Sequence, residues 1–275
     1  MGYVIGILLG LLAAGFLLFF FFRKRRKPVV EPEAPLPPTM VELLAQNVPY
    51  YASLPDEKQP VFAERVNQFL ANVTIEGVDT EVTDVDKVLV ASSAVIPVFA
   101  FDDWQYPNLT NVVLYDSTFN EKTFETEGAD RRTMGLVGTG GALQSSMALS
   151  KSALLNGFLN KTSKENTGIH EFVHLLDKVD GEIDGAPERM MPKEHLQPWL
   201  RLMHETMQQM ETGRTDINPY GLTNEAEFFA VVSEYFFKRP DLLKQKHPEL
   251  FEQLELIFKQ NPTTERKVLE GDEGF

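Results

Sequence analysis

His170 and His174 stand four residues apart, with Glu171 beside the first, in the order His170-Glu171-Phe172-Val173-His174. On an α-helix, side chains four apart lie one above the other, so both imidazoles can reach a single ion. Zn²⁺ takes neutral imidazole nitrogen at about 2.0–2.1 Å. Glu171 is placed to accept a proton from an attacking water and hand it to a leaving amine. Phe172, Val173 and Leu176 fall on the other side, where they can anchor the helix in a core. This HExxH pattern predicts one Zn²⁺ per chain and peptide hydrolysis that depends on it.

A catalytic zinc needs a third protein ligand and an open position. The chain has no cysteine, which leaves histidine or carboxylate and excludes Fe–S clusters, thiol nucleophiles and CxxC redox chemistry. Asp180 lies six residues after His174, the metzincin spacing, but Asp177 stands where that pattern places a turn-forming glycine. Further on, Glu225, Glu227 and Glu234 lie within one helical stretch, and a glutamate from a second helix is the gluzincin solution. Glu227 and Glu234 are seven apart and share a face. Spacing alone leaves the three open. His204 begins a broken motif with Gln208 in place of a second histidine, and His195 and His247 stand beside helix-start signals.

The elements that must position these residues follow from periodicity. Residues 39–71 read as helices, with Thr39 as a cap and Val61, Phe62, Val66, Phe69 and Leu70 at helical spacing. VTIEGV (73–78), VLVASSAVIPVFAF (88–101) and NVVLYDSTF (111–119) read as strands, and SSMALSKSALLNG (145–157) as a strand or strand-turn. Gly138, Gly140 and Gly141 lack a following Lys-Ser/Thr and read as a turn, not a phosphate loop. Helices are predicted over 164–178, 192–212, 223–238 and 247–260, with Trp199, Leu200, Met203, Met207 and Met210 forming a core stripe. Helices, then strands, then helices predict an α+β fold.

Charge divides the 275 residues unevenly. The total is 26 Lys+Arg against 40 Asp+Glu, or −14, yet residues 1–27 hold five basic residues and no acidic one. The rest is acidic enough to repel phosphate backbones, which argues against nucleic acid as a partner. Tyr3–Phe22 is 20 residues without a charge, long enough as a helix to span about 30 Å of hydrocarbon. Arg23–Lys27 follows it directly, the pattern of an uncleaved anchor with its basic side in the cytoplasm. The expected organisation is a transmembrane anchor with a basic stop signal over 1–27, a proline-rich spacer over 28–38 and a catalytic domain over 39–275. The expected location is the inner membrane, single-pass, N-terminus out and catalytic domain cytoplasmic.

Several segments together resemble one family. HEFVHLLDKVDGEIDGAP (170–187), NEAEFFAVVSEYFF (224–237), NVPYYASLP (47–55), FDDWQYP (101–107) and VVLYDSTF (112–119) are similar to the Mlc titration factor A family of zinc-dependent peptidases. The resemblance covers most of residues 40–260. It implies a zincin-like metallopeptidase domain of gluzincin type, with the HExxH helix, a small mixed sheet and C-terminal helices. It implies His170 and His174 as zinc ligands, Glu171 as catalytic base, and Glu227, before the Phe-Phe-Ala triplet, as third ligand. It also implies that Tyr220, seven residues before Glu227, lies near the metal, where its hydroxyl can bond the oxyanion of the transition state. Asp177 is a candidate partner of a ligand histidine, a structural cap or a surface charge. The implied activity is aminopeptidase-like hydrolysis of short peptides. The alternative is a regulatory binding protein that sequesters a transcriptional regulator, with the zinc site secondary.

Overall fold

The computed structural model describes residues 29–106, 108–116, 135–137, 145–181 and 183–264. Three helices come first: α1 (Pro38–Asn47), α2 (Pro49–Ser53) and α3 (Lys58–Asn72). Proline opens the first two at a position where its missing N–H costs nothing. Ahead of them, the chain from Val30 to Leu36 lies along α3. The Val30 N–H donates to Asn72 Oδ1 at 2.8 Å, Asn67 Nδ2 donates to the Ala34 carbonyl at 2.7 Å, and Leu36 is buried.

The sheet is small and mixed. Strands β1 (Thr74–Val78), β2 (Asn111–Tyr115) and β4 (Ser146–Ser150) run parallel, and β3 (Gly135–Val137) pairs antiparallel with β4 at the edge. The order is β1-β2-β4-β3, with Ile75 beside Val112 and Val112 beside Met147. β2 and β4 are largely buried, while β1 is an exposed edge.

One predicted strand is a helix. VLVASSAVIPVFAF forms most of α4 (Asp84–Val95) and a 3-10 turn, Ile96–Val98, instead of extended chain. A capping box sets its start: Thr83 Oγ1 accepts from the Asp86 N–H at 3.3 Å, and Asp86 Oδ2 accepts from the Thr83 N–H at 2.7 Å. Val88 to Val95 are all buried, so the run has no polar side to betray a helical period, and its β-branched residues mimic a strand. SSMALSKSALLNG divides at Ser150, which ends β4 and caps α5 (Lys151–Leu159) by accepting from the Ala153 N–H.

α6 (Thr167–Asp177) carries the HExxH residues and lies directly on α4. A Cβ added at Gly168 would come within 2.1 Å of Ser93 Oγ and 2.9 Å of Leu154 Cδ1, so only glycine lets the two helices meet this closely. Gly168→Ala should cost about 1–3 kcal/mol of stability as overpacking, measured as a lower Tm at unchanged secondary structure. α7 (Lys193–Glu211) buries Trp199, Met203 and Met210 as the stripe predicts, with Leu200 and Met207 partly buried beside them. α8 (Glu225–Lys238), α9 (Pro240–Lys246) and α10 (Pro248–Phe258) complete the core. Phe229 and Phe236 of α8 both stack on Phe258.

The membrane expectation is corrected. Tyr3–Phe22, Arg23–Lys27 and the glycines at 138, 140 and 141 lie outside the described residues. Among those described, no helix is long and apolar enough to cross a membrane. α7 has 19 residues, but Lys193, Glu194, Arg201, Glu205 and Glu211 interrupt it. The single-pass placement at the inner membrane is therefore not supported.

Candidate metal centre

Asn166 starts the α6 helix: its side-chain oxygen accepts from the Ile169 N–H at 3.0 Å. One turn later His170 and Glu171 are buried at 8% and 7% exposure, and His174 follows above His170. The two ring planes meet edge to face, with centroids 4.8 Å apart. Phe172, Val173 and Leu176 are buried on the far side, so the helix cannot rotate without exposing them.

Glu227 comes from the first turn of α8, where Asn224 Oδ1 accepts from the Glu227 N–H at 2.9 Å. Its Oε2 lies 2.9 Å from His170 Nε2 and 3.5 Å from His174 Nε2, and the two imidazole nitrogens are 3.1 Å apart. These three side chains form one potential ion-binding group. Two ligands each 2.0–2.1 Å from a tetrahedral ion stand about 3.3 Å apart. The three observed separations bracket that value.

The glutamates that spacing left open are thereby separated. Glu234, two turns beyond Glu227, is buried, and its Oε1 lies 2.7 Å from His170 Nδ1. Its other oxygen accepts from the Asn166 N–H. A carboxylate on Nδ1–H fixes the tautomer and turns the Nε2 lone pair toward an ion. Glu225 points elsewhere: it is half-exposed, 3.6 Å from His204 Nε2. The seven-residue spacing of Glu227 and Glu234 signals a shared face, but not that Glu234 serves the histidine from behind. Glu234→Gln should weaken metal affinity about 10–100-fold while all three donor atoms remain, measured by chelator competition.

The remaining candidates divide by element. Lys178–Asp180 form a 3-10 turn ending at Gly181 with φ 115°, and the Asp180 side chain lies outside the described residues. Asp177 is fully buried and its Oδ2 accepts from the Gly185 N–H at 2.8 Å. Trp199 Nε1 donates to the Gly185 carbonyl at 2.7 Å. A Cβ at Gly185 would lie 2.3 Å from the Glu225 carbonyl oxygen. The segment after HExxH thus packs on the start of α8 and helps set the height of Glu227.

Tyr220 sits in a 3-10 turn, Pro219–Leu222, whose cap is Asn218: its Oδ1 accepts from the Tyr220 N–H at 2.9 Å. The ring is about half-exposed, with its centroid 6.0 Å from that of His170. Asp216 anchors this loop. It accepts from Lys164 Nζ at 2.6 Å, Lys246 Nζ at 2.9 Å and Tyr235 Oη at 3.0 Å, and meets His247 Nε2 at 2.8 Å. Burial alone would raise the Asp216 carboxyl, but these hydrogen bonds hold it far below the usual carboxylate range. A depressed carboxyl stabilises the fold above its unfolded pKa of about 3.9, and that contribution is lost as pH falls through and below that value. Asp216→Asn should therefore lower Tm at pH 7 and flatten the fall in stability between about pH 5 and pH 2, followed by acid titration of circular dichroism.

Electrostatics at the metal centre have one theme. Burial pushes the Glu171 carboxyl up, against the pull of both imidazoles. Burial would also raise Glu227, but its hydrogen bonds with His170 and His174 hold it down to about 2. Burial alone would lower His170, yet Glu234 and Glu227 drive it well above its usual range. Three carboxylates surround two imidazoles, and positive charge between them offsets the repulsion. Charge and donor spacing together fit a divalent cation.

Comparison with known proteins agrees with this geometry. The family described as glucose-regulated metallo-peptidase M90 matches residues 21–259. An uncharacterised protein of Synechocystis is 26% identical over 81% of this chain and 84% of its own. Mlc titration factor A of Pectobacterium atrosepticum is 28% identical over 81% of this chain and 87% of its own. The protein of that name from Serratia proteamaculans is 25% identical over 82% and 88%.

Proposed function

The chain belongs to the glucose-regulated metallo-peptidase M90 family, and from that premise we propose that it is a zinc-dependent peptidase in which His170, His174 and Glu227 hold the ion. The observation that carries the reading is the convergence of His170 Nε2, His174 Nε2 and Glu227 Oε2 within 2.9–3.5 Å of one another. Zinc bound there supplies Lewis acidity, polarising a substrate carbonyl and lowering the pKa of water. Glu171, held beside His170 on a helix locked by Phe172 and Val173, accepts the proton of the attacking water and delivers it to the departing amine. Glu234 keeps His170 in one tautomer throughout. Tyr220, at the surface beside His170, donates its hydroxyl to the oxyanion as the carbonyl becomes tetrahedral. The substrate class is short peptides, cleaved in aminopeptidase fashion, as the family resemblance implies.

The test is metal analysis coupled to digestion of a peptide library with and without chelator. The reading expects about one zinc per chain, hydrolysis abolished by chelator and restored by zinc. A zinc-loaded chain that cleaves no peptide of the library overturns it.

A second reading takes its support from the relatives named Mlc titration factor A. In it, this chain holds a transcriptional regulator and the metal centre is secondary. Capture of a regulator that is equal for wild type and Glu171→Gln, without turnover of any library peptide, favours that reading.

A further inference from the structure

Packing alone does not secure Tyr220, because its side chain is about half in water. Its turn, Pro219–Leu222, is short and rests on α7 and α8 through buried Gly221, where an added Cβ would lie 3.4 Å from Met210 Cε and Phe228 Cα. The His170 ring, 6.0 Å away, belongs to a different helix, α6. The placement of Tyr220 against the metal ligands therefore depends on what joins its turn to the α6 side.

Lys164 and Glu165, from the segment just ahead of α6, make such a join. Lys164 Nζ donates to Asp216 Oδ2 at 2.6 Å, and Glu165 Oε1 accepts from Asn218 Nδ2 at 2.7 Å. Asp216 lies four residues before Tyr220 and is shared with Tyr235, Lys246 and His247. Asn218 reaches Tyr220 itself, because its Oδ1 accepts from the Tyr220 N–H at 2.9 Å. One amide thus spends its donor on Glu165 and its acceptor on Tyr220, a pair of roles that asparagine offers within one short side chain. Next along, the Asn166 N–H donates to Glu234, which holds His170. Residues 164–166 therefore touch both the tyrosine turn and the carboxylate behind the histidine.

We propose that Asn218 is a positioning residue of the hydrolysis, a role that rests on the reading of Tyr220 as donor to the oxyanion. Bridged to Glu165, it holds the tyrosine in register with the HExxH helix. The ionised acceptor strengthens the bridge. A misplacement of about 1 Å in such a group can cost about 100-fold in rate. The oxyanion forms only beyond the ground state, so a loosened tyrosine lowers kcat and spares KM.

The probe is the library peptide that the zinc-loaded full chain cleaves fastest. Asn218→Asp keeps the acceptor for the Tyr220 N–H and sets a like charge against Glu165. It should lower kcat about tenfold, with KM and bound zinc unchanged. Pairing it with Glu165→Gln exchanges donor and acceptor across the bridge and should restore most of the loss. Tyr220→Phe should lower kcat about 10²–10³-fold, and adding Asn218→Asp to it should cost nothing further. The rings report independently of turnover: a nuclear Overhauser contact between Tyr220 and His170 should weaken in Asn218→Asp and return in the paired variant. A zinc-loaded chain without turnover, or normal kcat in Tyr220→Phe, overturns the reading of Tyr220 and the role of Asn218 with it. Where Tyr220→Phe does lose rate, three outcomes overturn the role of Asn218 alone: unchanged kcat in Asn218→Asp, an equal further loss in the Tyr220→Phe background, or a ring contact untouched by Asn218→Asp.

Discussion

Glu171→Gln should leave the metal content of the purified chain unchanged and reduce peptide hydrolysis by about 10²–10⁴-fold. The substitution keeps side-chain volume, so the packing beside His170 survives. It removes the one property the proposed mechanism needs, an ionisable oxygen that takes a proton and gives it back. Glu171 is buried beside two further carboxylates, and burial already pushes it up. Neutralising it relieves repulsion, so Tm should be equal to or slightly above that of wild type. Metal analysis and single-turnover rates measured on one preparation separate the cases. Wild-type rates in Glu171→Gln would remove Glu171 from the chemistry.

The second large effect distinguishes the three glutamates near the start and middle of α8. Glu227→Ala should lose bound metal and hydrolysis together, because it deletes one donor of three and leaves two imidazoles to hold the ion. The loss of metal affinity should exceed the 10–100-fold expected for an orienting partner such as Glu234. Glu225→Ala should do neither, since its carboxylate faces His204 at the surface. Zinc titration against a competing chelator, run on the three variants, ranks them. If Glu225→Ala rather than Glu227→Ala loses the ion, the proposed ligand set is wrong.

Much of the centre is legible in the sequence because it is local. His170, Glu171 and His174 follow from a helical period, and little more than one helical turn already brings the rings together. The α7 stripe is legible for the same reason: Trp199, Met203 and Met210 recur on one face and are buried on it. Glu227 is different. Its distance from His170 in sequence carries no geometry, and resemblance to a family, not spacing, singles it out. α4 reads as a strand because burial on all sides removes the polar face that marks a helix. The Thr83–Asp86 capping box is present in the sequence and is the better signal.

By itself, then, the sequence determined an acidic, cysteine-free chain with a histidine pair, a neighbouring base and a family likeness. Those are properties of composition and of contacts within one helical turn. The family likeness already pointed to Glu227; only the tertiary structure decided that Glu234 sits behind His170 and that Glu225 stays at the surface. Those choices depend on how α8 lies across α6. Each helix is held in place by distant contacts: Gly168 against Ser93 seats α6 on α4, Gly185 against Glu225 seats the segment after α6 on the start of α8, and Phe229 and Phe236 on Phe258 seat α8 on α10. A linear pattern holds no record of such contacts, because each joins residues tens of positions apart whose types are common elsewhere in the chain.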